Sequence, residues 1–217
     1  MEGSYARRVK MDEIFNIEKL AEDNVRTLEL SEASYKTPVC IIFVGLPASG
    51  KSYLAEYLAK ELSLTKFGEQ NLTALLAPRA TITEREVVKV FQLAVATIEH
   101  LLRRGKGVIY DANSKTKEQR NLIKTAVEQA GGRSILIFCS TPKEVCYQRA
   151  HKRNISIARG EVQGLILDKD YFEYEVATTL LPTADENPII YDSTHDHENI
   201  YQIATKIKGL IKVLEEQ

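Results

Sequence analysis

The strongest chemical signal in the chain is Gly45-Leu46-Pro47-Ala48-Ser49-Gly50-Lys51-Ser52, which follows the spacing G-x-x-x-x-G-K-[ST]. Its glycines let the backbone curl so that successive N–H groups face phosphate oxygens, and a helix starting just after them adds the positive end of its dipole. In such a loop Lys51 reaches the β- and γ-phosphates of a nucleotide, and the Ser52 hydroxyl coordinates Mg²⁺. ATP and Mg²⁺ are therefore the expected cofactors. Given glycine at about 7% of residues, a chain of this length matches by accident on the order of once in a hundred.

Two further groups fit the same chemistry. Asp111 closes the apolar run Gly107-Val108-Ile109-Tyr110-Asp111, where a second metal-holding carboxylate belongs; capping a strand end is the alternative. Ala112 and Asn113 follow it, in place of the water-activating glutamate of motor ATPases. That absence favours passing phosphate to a bound acceptor over hydrolysis. Arg149 and Arg153, four apart, share one side of a helix and suit the charge that spreads over a moving phosphoryl group, with a solvated helix face as the alternative. Gly160 and Gly164 bracket a stretch suited to hinge as a lid, about residues 153–167.

The elements that must position these groups read as alternating strands and helices. Val39 to Val44 is continuously apolar, as in a strand covered on both faces. Similar runs span 107–111, 134–139 and 188–191, with a weaker one at 64–67. Helical spacing joins Val87, Val88, Phe91, Ala94, Val95, Ile98, Leu101 and Leu102 into an apolar face behind a Thr83/Glu86 capping box. A second helix covers about 117–130 and stops at Gly131-Gly132; a third starts at Thr141-Pro142-Lys143-Glu144 with Thr141 as its cap. This alternation implies an α/β fold with a mainly parallel sheet. Ahead of it, Met11, Ile14, Ile17, Leu20, Ala21, Val25 and Leu28 fall on one side of a helix. The expected division is a helical extension at 1–37, packed on the body and available to a protein partner, followed by one domain at 38–217.

Composition narrows the class. The chain has 217 residues, 44% hydrophobic and 27% charged, as in an ordinary globular protein, and no apolar run approaches the roughly 18 residues of a membrane span. The polar stretch Met1 to Lys10 has no secretory signal pattern, so a cytoplasmic location without membrane contact is expected. Cys40, Cys139 and Cys146 lack metal or redox spacing and read as reduced, inert thiols. The net charge of −1 argues against a surface that grips nucleic acid throughout. Charge is nevertheless segregated. Lys143, Arg149, Lys152, Arg153 and Arg159 stand against Glu144 alone, whereas residues 161–217 hold twelve acidic and four basic side chains.

Together these residues resemble the P-loop kinase family that includes polynucleotide 5′-hydroxyl kinases, zeta toxins and small predicted ATP-binding kinases, over roughly Val39 to Thr194. The resemblance rests on the loop, on Asp111-Ala112-Asn113 with Arg120 beyond it, on Gln148-Arg149-Ala150-His151-Lys152-Arg153, and on Asp170-Tyr171-Phe172-Glu173. It implies a P-loop NTPase fold of strand order 2-3-1-4-5 and ATP-dependent phosphorylation of a hydroxyl, on a polynucleotide 5′ end or a small metabolite. It implies acceptor contacts for Asn113 and Arg120, and a lid arginine at Arg149 or Arg153. The family's proton-accepting aspartate after its second strand has no counterpart in Thr65-Lys66-Phe67-Gly68-Glu69-Gln70-Asn71; Glu69 stands in as base, with no arginine after it. Gly45-Leu46-Pro47, Asp111-Ala112-Asn113 and Tyr174-Glu175-Val176 also resemble 6-phosphofructo-2-kinases, which brings in sugar phosphates as acceptors. A nucleotide-dependent switch or adaptor without transfer is the competing reading, and a GTPase form is disfavoured because no N-K-x-D occurs.

Overall fold

The computed structural model of the protein describes residues 16–76, 83–162, 164, 166–194 and 197–216. Met11 and Ile14 of the expected N-terminal helix and positions 163 and 165 of the expected lid lie outside them. The five apolar runs all form strands: β1 (Val39–Gly45), β2 (Thr65–Gly68), β3 (Val108–Asn113), β4 (Arg133–Cys139) and β5 (Ile189–Tyr191). Every observed pairing is parallel, and the order is β2-β3-β1-β4-β5. All seven residues of β1 are buried because helices cover both faces of the sheet, which is why its sequence shows no alternation.

Helices α1 (Ile17–Thr27), α3 (Glu69–Leu76), α4 (Glu84–Arg103) and α5 (Lys117–Gln129) are named here in chain order with α2 (Lys51–Glu61). On one face of the sheet Cys40, Ile42, Val44, Val108 and Tyr110 meet Val25, Leu72, Leu93, Ile98 and Ile123 from α1, α3, α4 and α5. After β4 come α6 (Lys143–Ala158), α7 (Lys169–Thr178) and α8 (His197–Glu216). On the other face Ile41, Phe43 and Ile109 meet Leu54 and Leu58 of α2 and Ile203 and Ile207 of α8. Burying each large aliphatic or aromatic side chain contributes roughly 1.5–3 kcal/mol.

Two local expectations change. In α4 the Thr83/Glu86 capping box is present, but Val87 and Val88 are exposed while Val90 and Leu93 are buried. The rest of the expected stripe, Phe91, Ala94, Val95, Ile98, Leu101 and Leu102, is buried or packed on the core, and contacts with α1, α3, α5 and the sheet widen the covered surface to Val90 and Leu93. At α6 the N-cap is Pro142 with no side-chain bond; Thr141 is diverted, its hydroxyl donating to the Ser49 carbonyl at 2.9 Å. The cysteines are free and buried, and desolvation pushes the Cys139 thiol up to about 12. Among the described residues no helix is long and apolar enough to cross a membrane.

Arg120 departs furthest from its expected acceptor contact. Its side chain is 3% exposed, forks onto both Glu186 oxygens at 2.6 and 2.9 Å, and donates to the carbonyls of Ser114, Lys115 and Leu180. A guanidinium bonded this way ties the loop after β3 to the chain ahead of β5, so its strongest contacts go to the protein and not to an acceptor. The Arg120 hydrogen bonds hold the Glu186 carboxyl below the usual range. Stability from this pair is therefore complete above the unfolded glutamate value of about pH 4.3 and is lost as pH falls through the lowered folded value. Arg120→Ala should cost roughly 3 kcal/mol in urea denaturation at neutral pH by leaving the half-buried Glu186 carboxylate with Thr183 alone, with a deficit that shrinks on acidification toward pH 3.

Candidate active site

The loop after β1 is shaped by steric exclusion on one side and apolar anchoring on the other. Gly45 sits at φ +155°, where an added Cβ would lie 2.7 Å from the Cys139 carbonyl oxygen, so only glycine fits between β1 and β4. Ala48 at φ +61° and Gly50 at φ +96° are left-handed, and the Ser49 N–H donates to the Leu46 carbonyl at 3.1 Å. Left-handed residues in such a turn curl successive N–H groups toward one point, the geometry that receives anions. Leu46 and Ala48 pack against Cys146, Ala150 and Phe172, which tethers the turn to α6 and α7. Gly50 caps α2 with no side-chain bond, so the first N–H groups of that helix are left for a ligand.

Lys51 Nζ donates to the Gly45 and Leu46 carbonyls, both at 2.8 Å, and desolvation lowers its pKa. The ammonium is thus held over the loop, partly dehydrated, where a phosphate oxygen would be a stronger partner than a carbonyl. Ser52 Oγ donates to Asp111 Oδ1 at 2.9 Å. This joins the end of β3 to the start of α2 and sets two oxygen ligands side by side. Among the described residues no group of three metal-ligating side chains occurs, and a hydroxyl beside one carboxylate suits Mg²⁺, which takes its other ligands from water and phosphate.

A cleft of about 630 Å³ runs over this loop, lined by Pro47, Lys51, Ser52, Tyr53, Arg149 and Arg153 among others. Both arginines of α6 face it. Arg149 also donates to the Ser193 carbonyl at 3.0 Å and to the Ser193 hydroxyl, which is itself 2.7 Å from the Thr141 hydroxyl. Of the expected lid, residues 153–158 are the last turns of α6, and Asn154 exchanges two hydrogen bonds with the Leu167 backbone.

A second cavity, about 690 Å³, adjoins the first. It is lined by Glu29, Lys66, Glu69, Asn71 and Asp111, and it shares Ser52 and Arg153 with the nucleotide-side cleft. Glu69 opens α3 directly after β2, and its pKa is raised, chiefly by desolvation and further by the carboxylates of Glu175 and Asp111. Lys115, ion-paired with the buried Glu175, pulls the other way. Asn113 is on neither cavity. Its Oδ1 accepts the Gly45 N–H at 3.2 Å and its Nδ2 donates to Thr179 Oγ1 at 3.2 Å. It therefore holds the phosphate-binding loop from behind, in place of the acceptor contact expected of it.

The sequence pattern pointed to Lys51, Ser52, Glu69, Asp111, Arg149 and Arg153, and the fold brings all six to these two joined cavities. It gave no warning of Ser193 or Glu29, read Thr141 only as a helix cap, and marked Glu175 only within Tyr174-Glu175-Val176. Thr141 and Ser193 each follow the C-terminal end of a strand, and Asp111 lies in the C-terminal half of β3. That edge of a parallel sheet is where ligands bind, so inspecting every strand end would have found them.

The AAA domain family model matches residues 40–163. Sulfate adenylyltransferase of Aspergillus fumigatus is 29% identical over 144 residues, 61% of this chain and 24% of that protein; the chain thus spans about a quarter of the curated relatives it matches. Among solved structures, the Mycobacterium tuberculosis APS kinase CysC in complex with AMPPNP and APS is 24% identical, covers 81% of this chain and 98% of its own, and superposes with a TM-score of 0.56. Chaetomium thermophilum Kti12 in complex with ADP-AlF3 is 18% identical over 80% of this chain and 99% of its own, with a TM-score of 0.61. These likenesses show the P-loop NTPase fold, strand order included.

Because Asn113 supplies the acceptor for the Gly45 N–H, Asn113→Ala should raise the Kd for ATP about tenfold by isothermal titration, whereas Asn113→Asp, which keeps that oxygen, should raise it less. Equal affinity in all three proteins would contradict the role.

Proposed function

We propose that this chain, which belongs to the AAA domain family, is a kinase that transfers the γ-phosphoryl group of ATP to a hydroxyl acceptor seated beside β2. The observation that carries this reading is the pair of adjoining cavities with Ser52 and Arg153 on their common border. One compartment opens on the phosphate-binding loop and the other on a carboxylate. An ATPase needs only the first of these.

In the proposed reaction the triphosphate lies on the N–H groups of the Gly45–Gly50 turn, and Lys51 exchanges its carbonyl partners for phosphate oxygens. Arg149 and Arg153 face the charge that spreads over the moving group. The acceptor oxygen forms a bond to the γ-phosphorus as the bond to the β–γ bridging oxygen breaks, and ADP leaves. The hydroxyl proton passes to Glu69, whose raised pKa brings it closer to the operating pH of a useful base. Ser52 and Asp111 would hold Mg²⁺, which when bound neutralises phosphate charge. A polynucleotide end, a small alcohol and a sugar phosphate are the acceptor classes that the sequence resemblance brings forward.

Transfer of radiolabel from γ-labelled ATP to an acceptor panel tests the reading. Lys51→Ala should lower kcat by about a hundredfold or more. A base works only when deprotonated, so kcat/KM should rise with pH through a pKa above the ordinary glutamate range, and Glu69→Gln should remove that limb of the profile. Steady ATP hydrolysis with no labelled product from any acceptor would leave the switch reading as the better account.

A further inference from the structure

The acceptor compartment has a wall that lies outside the family-matched residues. Thr27, Leu28 and Glu29, which end α1 and begin the chain toward β1, line it opposite Glu69, Gln70 and Asn71. The segment is fastened to the body along its length. Ala21 and Val25 are buried against α4, and Asn24 donates to Thr97 at 3.2 Å inside that contact. Beyond Glu29, the Ser31 N–H donates to Thr65 Oγ1 at 3.0 Å and the Ser31 hydroxyl bonds the Ser63 carbonyl, while Tyr35 OH donates to the Leu62 carbonyl at 2.8 Å. Glu29 is therefore held beside β2, on the substrate side of the proposed reaction.

The charges that line this compartment are unequal once their other partners are counted. Lys66 is drawn onto Glu56 at 2.6 Å, and Arg153 stands on the border shared with the nucleotide cleft. Lys115, close enough to act on Glu69, is spent on Glu175. Asp111 is bonded by Ser52 at the phosphate end. What remains to face an acceptor is Glu29 and Glu69, with the neutral side chains of Thr27, Gln70 and Asn71. Among the described residues, a phosphorylated or sulfated acceptor would meet two carboxylates, and Arg153, the lining cation not drawn onto a carboxylate, stands at the border where the proposed reaction places the moving phosphoryl group; such like-charge juxtaposition is how a site rejects a ligand. Hydroxyls and ammonium groups find acceptors here.

We infer that the acceptor is a hydroxyl compound without negative charge, a neutral or amine-bearing polyol, and that Glu29 is a residue that selects it. This rests on the phosphotransfer reading above. Between the acceptors brought forward by the sequence, it favours a small uncharged or cationic metabolite over a nucleic-acid end or a sugar phosphate.

The test is labelled-phosphate transfer by the full chain to four probes: glucose, glucosamine, glucose 6-phosphate and a 5′-hydroxyl oligonucleotide. The better of glucose and glucosamine should exceed both anionic probes in kcat/KM by at least tenfold. Glu29→Lys should shrink that ratio about tenfold through the KM for the acceptor, with the KM for ATP and the melting temperature unchanged, a split that loss of packing would not produce. Transfer that favours either anionic probe, or a ratio that Glu29→Lys leaves unmoved, overturns the inference while the kinase reading stands. Absence of transfer to all four probes despite ATP binding overturns the inference, and the kinase reading falls only if a wider panel of alcohols is equally inert.

Discussion

The contact between Gly45 and the Cys139 carbonyl fixes much of what the site can do. β1 and β4 pair along seven residues, and the last pair in that register is Gly45 with Cys139. A side chain at Gly45 would push the strands apart where the chain turns to bind phosphate. With glycine there, the turn stays low against the sheet, Leu46 and Ala48 reach the pocket formed by Cys146, Ala150 and Phe172, and Lys51 folds back over the two carbonyls. Asn113 and Thr141 then grip the loop at either end, through the Gly45 N–H and the Ser49 carbonyl. Strands on both sides of β1 thus supply the supports, which makes the loop geometry a property of the sheet as a whole.

Charge is arranged around this loop by element. The basic run of α6 turns Arg149 and Arg153 toward the nucleotide cleft, while the carboxylates of Glu29, Glu69 and Asp111 gather on the far side of Ser52. A net charge near zero hides this separation. The positive compartment suits a triphosphate and the negative one suits a proton acceptor, so one border of side chains divides two opposite electrostatic tasks.

The N-terminal segment belongs to the same design. Its apolar residues are consumed by α4, and its outward face carries Glu22, Asp23 and Arg26, which pair among themselves. Its last residues, Thr27 and the following Leu28 and Glu29, line the second cavity.

The sequence by itself determined the sheet and the phosphate-binding end of the site. Short apolar runs alternating with helical stretches suit the strands of a parallel sheet, and a glycine-bounded loop between such a strand and a helix is local chemistry that neighbouring residues impose. Lys51, Ser52 and Asp111 were legible for that reason. Tertiary structure alone decided the partners of Asn113, Arg120 and Thr141, since each bonds to groups far away in the chain or out of reach of local pattern, and it alone brought Glu29 to the second cavity. An asparagine or arginine after a strand reads equally as a substrate contact or as a brace until it is known whether Gly45, Glu186 or open solvent stands in front of it. In α4 the inward stripe was legible from Phe91 to Leu102, and only Val87 and Val88 depart from it, because which elements cover the first turns of a helix is decided by segments distant in the chain.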